Sequence, residues 1–339
     1  MARPRAGEGK GPEGPDPDRG TRPNPPPETP RMPGSVPLRR RPLLAAPLAL
    51  PALGGCAAPL PEVSAPATTR EAQALLEASA AAHGLAAFRT IGDLSVSYAG
   101  QWPPLIDRLQ PVLVDRGFRS RSEGRLLPRA GLVAQAHEGP AGRKGVVRRS
   151  APGPRGEVRV WFNGEEARDE ERRAAAALVA DGYALFLLGP MLLVAGGWGT
   201  GGRALTAELA GTERIEVDGR AWARDVLRAR AAPGLGFSAA DRLARFLDRE
   251  EGLMRRVRFS LEGLASTRGA VAEVDASGHV ARHGVRWPTR FRERLLRPFP
   301  LPVHDWRLTG LDANRGVDEA ELDGAAFRGR AAPPAAALA

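Results

Sequence analysis

Residues 247–259, LDREEGLMRRVRF, contain four consecutive charged residues followed by a glycine, with apolar residues before and after them. Charged residues that end in Gly252 are typical of a tight turn. After the turn, Arg256 and Arg258 alternate with Val257 and Phe259, which is the pattern of a strand with one face in water. The segment therefore predicts two antiparallel strands, residues 242–248 and 253–262, joined by a charged turn.

The same alternation recurs on both sides of this hairpin. Asp218-Gly219 is a strong hairpin signal between two of the further strands. No strand–helix–strand alternation and no glycine-rich phosphate loop is present, which argues against a nucleotide-binding parallel sheet. The sequence favours an antiparallel meander, with further strands expected at residues 91–100, 117–127, 132–137, 146–150, 157–162, 214–217, 221–230, 271–275, 285–291 and 306–314.

Two helices are expected. The first covers residues 68–82, with Thr68 or Thr69 as its N-cap and His83-Gly84 as its stop. The second lies in the apolar run 174–194, whose length approaches that of a membrane span. Asp181 is near the centre of that run, where insertion of an aspartate costs roughly 2.5 to 3.5 kcal/mol. We therefore predict a buried helix over residues 168–188 that covers the concave side of a curved sheet.

The N-terminal region has the layout of a secretory signal. Three arginines at 39–41 precede the apolar residues 43–53, and Leu53-Gly54-Gly55-Cys56 follows with the only cysteine of the chain. This resembles a bacterial lipoprotein signal, whose lipobox ends in a lipidated cysteine, although a lone cysteine is also often a small buried hydrophobe. The predicted organisation is a disordered extension or mis-assigned start at 1–31, a signal peptide at 32–55, a tether at 56–67, one domain at 68–330 and a disordered tail at 331–339.

The charge balance does not indicate a nucleic-acid partner. The chain has a formal charge of +10, and its arginines form no dense basic run. Residues 1–55 hold nine basic and five acidic residues, so the mature part carries about +6. The positive charge instead indicates a weak attraction to anionic membrane surfaces.

The element order resembles the LolA-like group of lipoprotein carriers, whose relatives include LppX. The resemblance is carried by LDREEGLMRRVRF, by GVRWPTR at 284–290 and by LDANRGVD at 311–318, and it covers most of residues 68–327. It implies an α+β fold in which a strongly curved antiparallel sheet, an incomplete β-barrel, is lidded by helices around an apolar cavity for acyl chains. The carriers themselves are not lipidated, whereas Cys56 predicts an anchored, periplasm-facing protein. Ala57 after the cysteine favours the outer over the inner membrane.

A half-barrel lined by apolar side chains is a pocket for a lipid, because each methylene removed from water contributes about 0.8 kcal/mol. The alternative interpretation of each candidate residue is that it packs in a solid hydrophobic core and does not line a cavity. No cofactor is expected. The candidates are Trp102, Trp161, Phe162, Leu185, Phe186, Leu188, Met191, Trp222, Phe246, Met254, Phe259 and Trp287.

The histidines do not predict an enzyme or a metal site. His279 and His283 are four residues apart, but the glycines around them place them in a turn. His137-Glu138 and His304-Asp305 are possible acid–base pairs, yet no Gly-x-Ser-x-Gly motif is present.

Three hypotheses remain, and the oligomeric state is not predicted. The first is a non-enzymatic lipoprotein that binds a lipid or an acylated polypeptide. The second is a structural or assembly lipoprotein with a filled core, and the third is an envelope hydrolase. An open apolar cavity favours the first over the second, whereas a polar cleft that joins His137 or His304 to a hydroxyl favours the third.

Overall fold

The structure, a computed structural model, describes residues 60–150, 155–195, 204–324, 327–330 and 332–338. Cys56, the predicted extension 1–31 and the predicted signal 32–55 lie outside these residues. The sequence predictions that can be compared with the structure therefore concern the domain that follows the tether.

Within the described residues, antiparallel strands form one 13-stranded sheet and a separate two-stranded sheet. In chain order the strands are β1 Leu94–Gln101, β2 Arg121–Leu127, β3 Leu132–Gly139, β4 Gly142–Arg149, β5 Glu157–Phe162, β6 Glu165–Glu166, β7 Ala204–Val217, β8 Arg220–Ala232, β9 Asp241–Asp248, β10 Met254–Ser260, β11 Val271–Ser277, β12 Val280–Arg282, β13 Val285–Trp287, β14 Arg290–Arg297 and β15 Leu301–Ala313.

The large sheet is not closed, because β6 and β7 are edge strands and the order is β6-β5-β4-β3-β2-β1-β15-β14-β11-β10-β9-β8-β7. All neighbouring strands in it are antiparallel. The pairing of β1 with β15 joins the two halves of the chain. The predicted α+β fold with a curved, incomplete barrel is confirmed.

Six α-helices accompany the sheets in the described residues: α1 Arg70–His83, α2 Leu85–Phe88, α3 Pro104–Leu109, α4 Pro111–Val114, α5 Glu170–Val194 and α6 Glu319–Asp323. The first begins as predicted, because Thr69 accepts a hydrogen bond from the backbone N–H of Ala72. It ends at Gly84, whose φ of 97° is left-handed. A Cβ there would lie 2.3 Å from the carbonyl oxygen of Gly284, so only glycine fits.

Helix α5 connects the two edge strands and packs over the inner face of the sheet. Asp169 caps its start by accepting a hydrogen bond from Arg172. It is longer than predicted and kinked at Gly189, where φ is 51° and the next residue is Pro190. By length and composition the helix is apolar enough to span a membrane, but 83% of its most apolar window is buried inside the fold. The structure agrees with the expectation of a buried core helix.

Several strands differ from the sequence prediction. The segment predicted as one strand at 285–291 is divided between β13, in the small sheet, and β14, in the large sheet. Pro288 lies at the break and cannot donate a ladder hydrogen bond. Strand β7 begins ten residues before the predicted start at Arg214. Asp218 and Gly219 have φ values of 51° and 73° between β7 and β8, as the predicted hairpin requires.

The flanking segments pack against the sheet. In the predicted tether, Leu60 is buried and Ser64 and Ala65 donate backbone hydrogen bonds to Glu208. In the range predicted as a disordered tail, residues 332–338 run beside β15, and the backbone N–H of Leu311 donates to the carbonyl of Ala336. Both segments therefore take part in the fold where the structure describes them.

Candidate ligand-binding cavity

A cavity of about 460 Å³ lies between α5 and the inner face of the sheet. Its size falls within the range of about 300 to 1,000 Å³ that is usual for small-molecule pockets. The side chains around it are mostly apolar. They are Trp102, Ile106, Leu109, Gln110, Leu113, Leu178, Val179, Gly182, Tyr183, Phe186, Leu235, Phe259, Leu261, Ser266, Thr267, Arg268, Gly269, Ala270, Ala272, Glu293, Leu295, Pro298, Phe299, Leu301, Val303, His304 and Trp306.

Strand register explains which sheet residues face the cavity. Ala272 of β11 is paired with Leu295 of β14, and Val274 is paired with Glu293. Directly opposite residues of an antiparallel pair point to the same face, so these four side chains share the inner face. Ala272 is small, which leaves space where a larger side chain would fill the cavity.

Helix α5 forms the opposite wall. Leu178, Val179, Gly182, Tyr183 and Phe186 recur at helical spacing and all face the cavity. At Gly182 an added Cβ would lie 3.4 Å from the ring of Phe186. The missing side chain thus preserves room beside the aromatic wall.

A stack of aromatic rings closes one end of the cavity. The ring centroids of Trp102 and His304 are 3.8 Å apart and nearly parallel, and those of His304 and Trp306 are 4.4 Å apart. Tyr183 lies 5.3 Å from Trp306, measured between centroids. Burial keeps the pKa of His304 well below its usual value, with Arg119 adding to the effect. The imidazole is therefore a neutral part of the stack.

The rim of the cavity combines exposed apolar groups with a polar contact across the mouth. Leu109 and Phe299 line the cavity and are about half exposed, at 50% and 51%. Gln110, between α3 and α4, donates its side-chain N–H to the carbonyl of Ser266 at 3.1 Å and accepts from the Ser266 hydroxyl at 2.9 Å. Arg268 is the cation at this rim. The mouth is thus apolar, apart from the hydrogen bonds between Gln110 and Ser266.

Of the predicted lining residues, Trp102, Phe186 and Phe259 face the cavity. Five others pack in the main core: Leu185, Leu188, Met191, Met254 and Trp287. Leu185 and Leu188 are on α5 but lie outside the face of the helix that lines the cavity.

The remaining predicted residues lie in other places. Trp161 packs with Leu322 and Phe327, and Phe246 packs with Leu60 on the face of β9 opposite to Leu247. Phe162 is partly buried against a smaller cluster. The last two, Phe162 and Trp222, contact cations: Lys144 and Arg172 lie over the ring of Phe162, and Arg220, Arg224 and Arg255 over that of Trp222.

Sequence reasoning missed the residues of α3 and α4, which form much of the mouth. Both helices have proline at their first position, Pro104 and Pro111. Proline is favoured there because the first N–H of a helix has no partner within it. That signal was present in the sequence. The inner-face residues of β14, including Glu293, were missed because the predicted strand 285–291 ended before them, whereas β14 extends to Arg297.

A second, smaller cleft tests the hydrolase hypothesis. His137, His304, Ser120, Ser122 and Tyr183 are among the residues around it, but its volume is about 20 Å³, room for about one water. Within the described ranges neither imidazole makes a hydrogen bond to a hydroxyl, and the Nδ1 atoms of both are buried without a partner. Burial also lowers the pKa of both rings. These groups do not form the couple of base and nucleophile that a hydrolase needs.

The other histidine pair does not converge on a metal. The ring of His279 lies 5.6 Å from that of His83 and its Nδ1 is 3.1 Å from Arg255, whereas His283 lies in the β12–β13 turn near Asp312. No group of three potential metal ligands occurs among the residues whose positions are described.

No protein-family model matches the chain, and no curated protein matches it. Several solved structures are similar to it in fold. A DUF1329 family protein from Desulfovibrio piger is 14% identical, with a TM-score of 0.44, and the match covers 76% of this chain and 100% of that one. A LolA superfamily protein from Nitrosomonas europaea is 12% identical, with a TM-score of 0.36 and coverages of 75% and 97%.

The lipoprotein LppX from Mycobacterium tuberculosis is 13% identical, with a TM-score of 0.22, and the match covers 56% of this chain and 90% of LppX. Because every TM-score is below 0.5, these likenesses do not decide function. They do include the LolA and LppX groups that the sequence resembles, and the chain is similar to both.

Proposed function

We propose that the protein binds the acyl chain of a lipid, or of a lipid-modified polypeptide, in the cavity between α5 and the sheet. The observation that carries the proposal is the cavity itself: about 460 Å³, mostly apolar, and open at a rim with exposed Leu109 and Phe299. A structural protein with a filled core would not be expected to have an open apolar cavity of this size. An open apolar pocket with few polar groups is the usual form of a lipid or small-molecule site.

The energy available is sufficient for useful affinity. Each buried methylene contributes about 0.8 kcal/mol, so roughly ten methylenes contribute about 8 kcal/mol. This corresponds to a dissociation constant of about 1 μM before the loss of chain and overall freedom is subtracted. The net dissociation constant is therefore weaker than about 1 μM, so a bound chain can be released.

We further propose that the protein is an envelope lipoprotein anchored through Cys56 and facing the periplasm, with the outer membrane favoured over the inner by Ala57. A single acyl chain gives only marginal membrane binding, whereas two or more give a stable anchor. A stable anchor makes this a stationary binder or acceptor. The matching experiment is Cys56→Ser, which is expected to move the protein from the membrane to the soluble fraction; continued membrane fractionation contradicts the anchor.

The role is proposed to be binding without catalysis, and the assembly lipoprotein stays as the alternative. The hydrolase is disfavoured by the geometry of His137 and His304, which lack a hydroxyl partner in the described residues. The assembly alternative is distinguished by the content of the cavity. It predicts a protein that functions through its surface and carries no ligand.

Native mass spectrometry on protein purified in mild conditions from its own membrane tests the proposal. We expect a lipid or acylated polypeptide to co-purify and to be released by organic extraction. Absence of any extractable ligand, together with no uptake of added lipid, contradicts the proposal and favours the assembly alternative.

A further inference from the structure

One charged side chain stands out in the wall of the cavity. Glu293 is the only carboxylate among the described residues that line it. It lies on the inner face of β14, between Val274 of β11 and His304 of β15. Its carboxylate makes no hydrogen bond or ion pair with the residues that the structure describes. Burial raises its pKa to about 7, with Arg119 as the opposing influence.

Arg119, whose charge opposes the rise in the pKa of Glu293, already has other partners. Its Nη1 donates to the carbonyl of Leu113 at 3.1 Å, and its Nη2 donates to the Tyr183 hydroxyl at 3.2 Å. Its guanidinium also lies 5.0 Å from the centroid of the Trp102 ring. Glu293 therefore faces the cavity with its hydrogen-bonding capacity unused.

A purely apolar ligand leaves this carboxylate in a poor environment. A buried carboxylate is stabilised by donors, and a cationic donor is the strongest of these. The neutral ring of His304, stacked between Trp102 and Trp306, supplies no positive charge. A ligand that brings its own ammonium group supplies what the wall lacks.

The position of Glu293 fixes how such a ligand lies. Along β14, Leu295 is the next residue on the inner face, about 7 Å away by strand geometry. The chain then turns through Pro298 and Phe299 at the exposed rim. An ammonium at Glu293 leaves the alkyl chain to run past Ala272 and Leu295 toward the mouth.

We propose that the cavity selects amphiphiles that carry a primary ammonium group, and that Glu293 pairs with this group at the β14 wall of the cavity. This deepens the proposed function and rests on it. An acyl or alkyl chain supplies most of the affinity, and Glu293 supplies the choice of polar group.

The test is a calorimetric titration of dodecylamine, dodecanol and dodecanoate into the wild-type protein, Glu293→Gln and Glu213→Gln. Glu213 is an exposed residue of β7 and serves as the matched control. We expect the wild type and Glu213→Gln to prefer dodecylamine, and Glu293→Gln to lose roughly ten- to a hundredfold of its affinity for dodecylamine, as loss of a hydrogen bond to a charged group predicts. Its affinity for dodecanol should be unchanged or higher.

The pH dependence gives a second readout. Dodecylamine affinity of the wild type should fall between about pH 8 and pH 5.5, as Glu293 gains a proton, whereas that of Glu293→Gln should stay constant. The other titratable groups around Glu293 are His304 on β15, Tyr183 on α5, Arg119 before β2 and Arg268 at the rim. Burial lowers the pKa of His304 well below its usual value and raises that of Tyr183, and arginine stays charged, so Glu293 is the group expected to change charge in this interval.

Equal binding of dodecylamine and dodecanol by the wild type overturns the inference but leaves the proposed function intact. Preference for dodecanoate also overturns it. If none of the three ligands binds, the proposed function fails as well. A loss of dodecanol binding in Glu293→Gln equal to the loss of dodecylamine binding indicates a merely structural role and contradicts the pairing.

Discussion

One buried ion pair joins the apolar helix α5 to the sheet. Asp181 and Arg148 are 1% and 3% exposed, and two hydrogen bonds join them, from Nε to Oδ1 at 3.1 Å and from Nη2 to Oδ2 at 3.0 Å. The backbone N–H of Gly236 also donates to Asp181 at 2.9 Å. An aspartate in the middle of an apolar helix is thus explained, because it fastens the helix to β4 and to the β8–β9 loop.

We predict that Asp181→Ala lowers the free energy of unfolding by about 4 kcal/mol. Removing one partner of a buried pair leaves the other charge uncompensated, which typically costs 3–5 kcal/mol. For a domain of this size the melting temperature should fall by roughly 8–16 °C. The measurement is urea unfolding followed by tryptophan fluorescence, with the slope m compared between variants.

Glu170→Ala is the matched control on the same helix. Glu170 pairs with Arg155 at 3.5 Å, but both side chains are largely exposed, so its loss should change stability by less than about 1 kcal/mol. The double variant Asp181→Leu with Arg148→Met should recover much of the lost stability, because no charge is left buried. If Asp181→Ala is no more destabilising than Glu170→Ala, the ion pair does not hold the helix and this reasoning is wrong.

Three further predictions concern the rim of the cavity and the acid sensitivity of the fold. Leu105 lies on the same face of α3 as Leu109 and is 48% exposed. Leu105→Ser should weaken binding to vesicles of phosphatidylglycerol by roughly fivefold, whereas the control Leu209→Ser, 43% exposed on β7, should not. Equal losses of the two variants in a sedimentation assay count against a lipid-facing rim. Gln110→Ala removes both hydrogen bonds to Ser266 and should speed the release of a bound fluorescent acyl chain by up to about tenfold. An unchanged release rate in a stopped-flow experiment contradicts a role of these hydrogen bonds at the rim. Burial lowers the pKa of His83 to about 4, so the folded state binds fewer protons than the unfolded state between about pH 6.5 and pH 4. His83 should therefore lower the stability by up to about 3 kcal/mol as the pH falls through that interval. Burial also lowers the pKa of His137, His279 and His304, so His83→Ala should lose only the His83 part of the pH dependence; parallel pH profiles in the two proteins refute the prediction.

Much of the fold could be predicted from local patterns: the alternation of apolar and polar residues along strands, and the residues typical of turns and helix ends. β5 has the predicted limits, and the Asp218-Gly219 turn has the left-handed backbone that such a hairpin requires. Both ends of helix α1 could be predicted, because Thr69 caps its start and Gly84 ends it through contacts with residues nearby in sequence. Antiparallel neighbours with short turns can be placed by such signals alone.

The cavity was predicted less well, because its walls come from residues far apart in sequence. Phe259 and Phe246 look alike in the sequence, yet strand parity places Phe259 on the inner face and Phe246 on the other. A shift of one residue in register reverses that assignment. The space itself depends on small residues such as Ala272 and Gly182, and only the packed structure shows which small residues border an opening.

A tryptophan-quenching titration measures whether the cavity takes an acyl chain. Trp102 and Trp306 line the cavity, so a dodecanoyl chain that carries bromine near its end should quench them on binding. We predict saturable, one-to-one quenching in the Cys56→Ser protein and at least tenfold weaker binding in Ala272→Phe. A ring in the cavity that excludes two methylenes costs about 1.6 kcal/mol.

Ala281→Phe, at an exposed position of β12, is the matched control and should bind as the wild type does. We predict that binding, measured by this quenching, weakens only when the cavity is filled. No saturable quenching in the wild type, or equal binding by Ala272→Phe and Ala281→Phe, contradicts it.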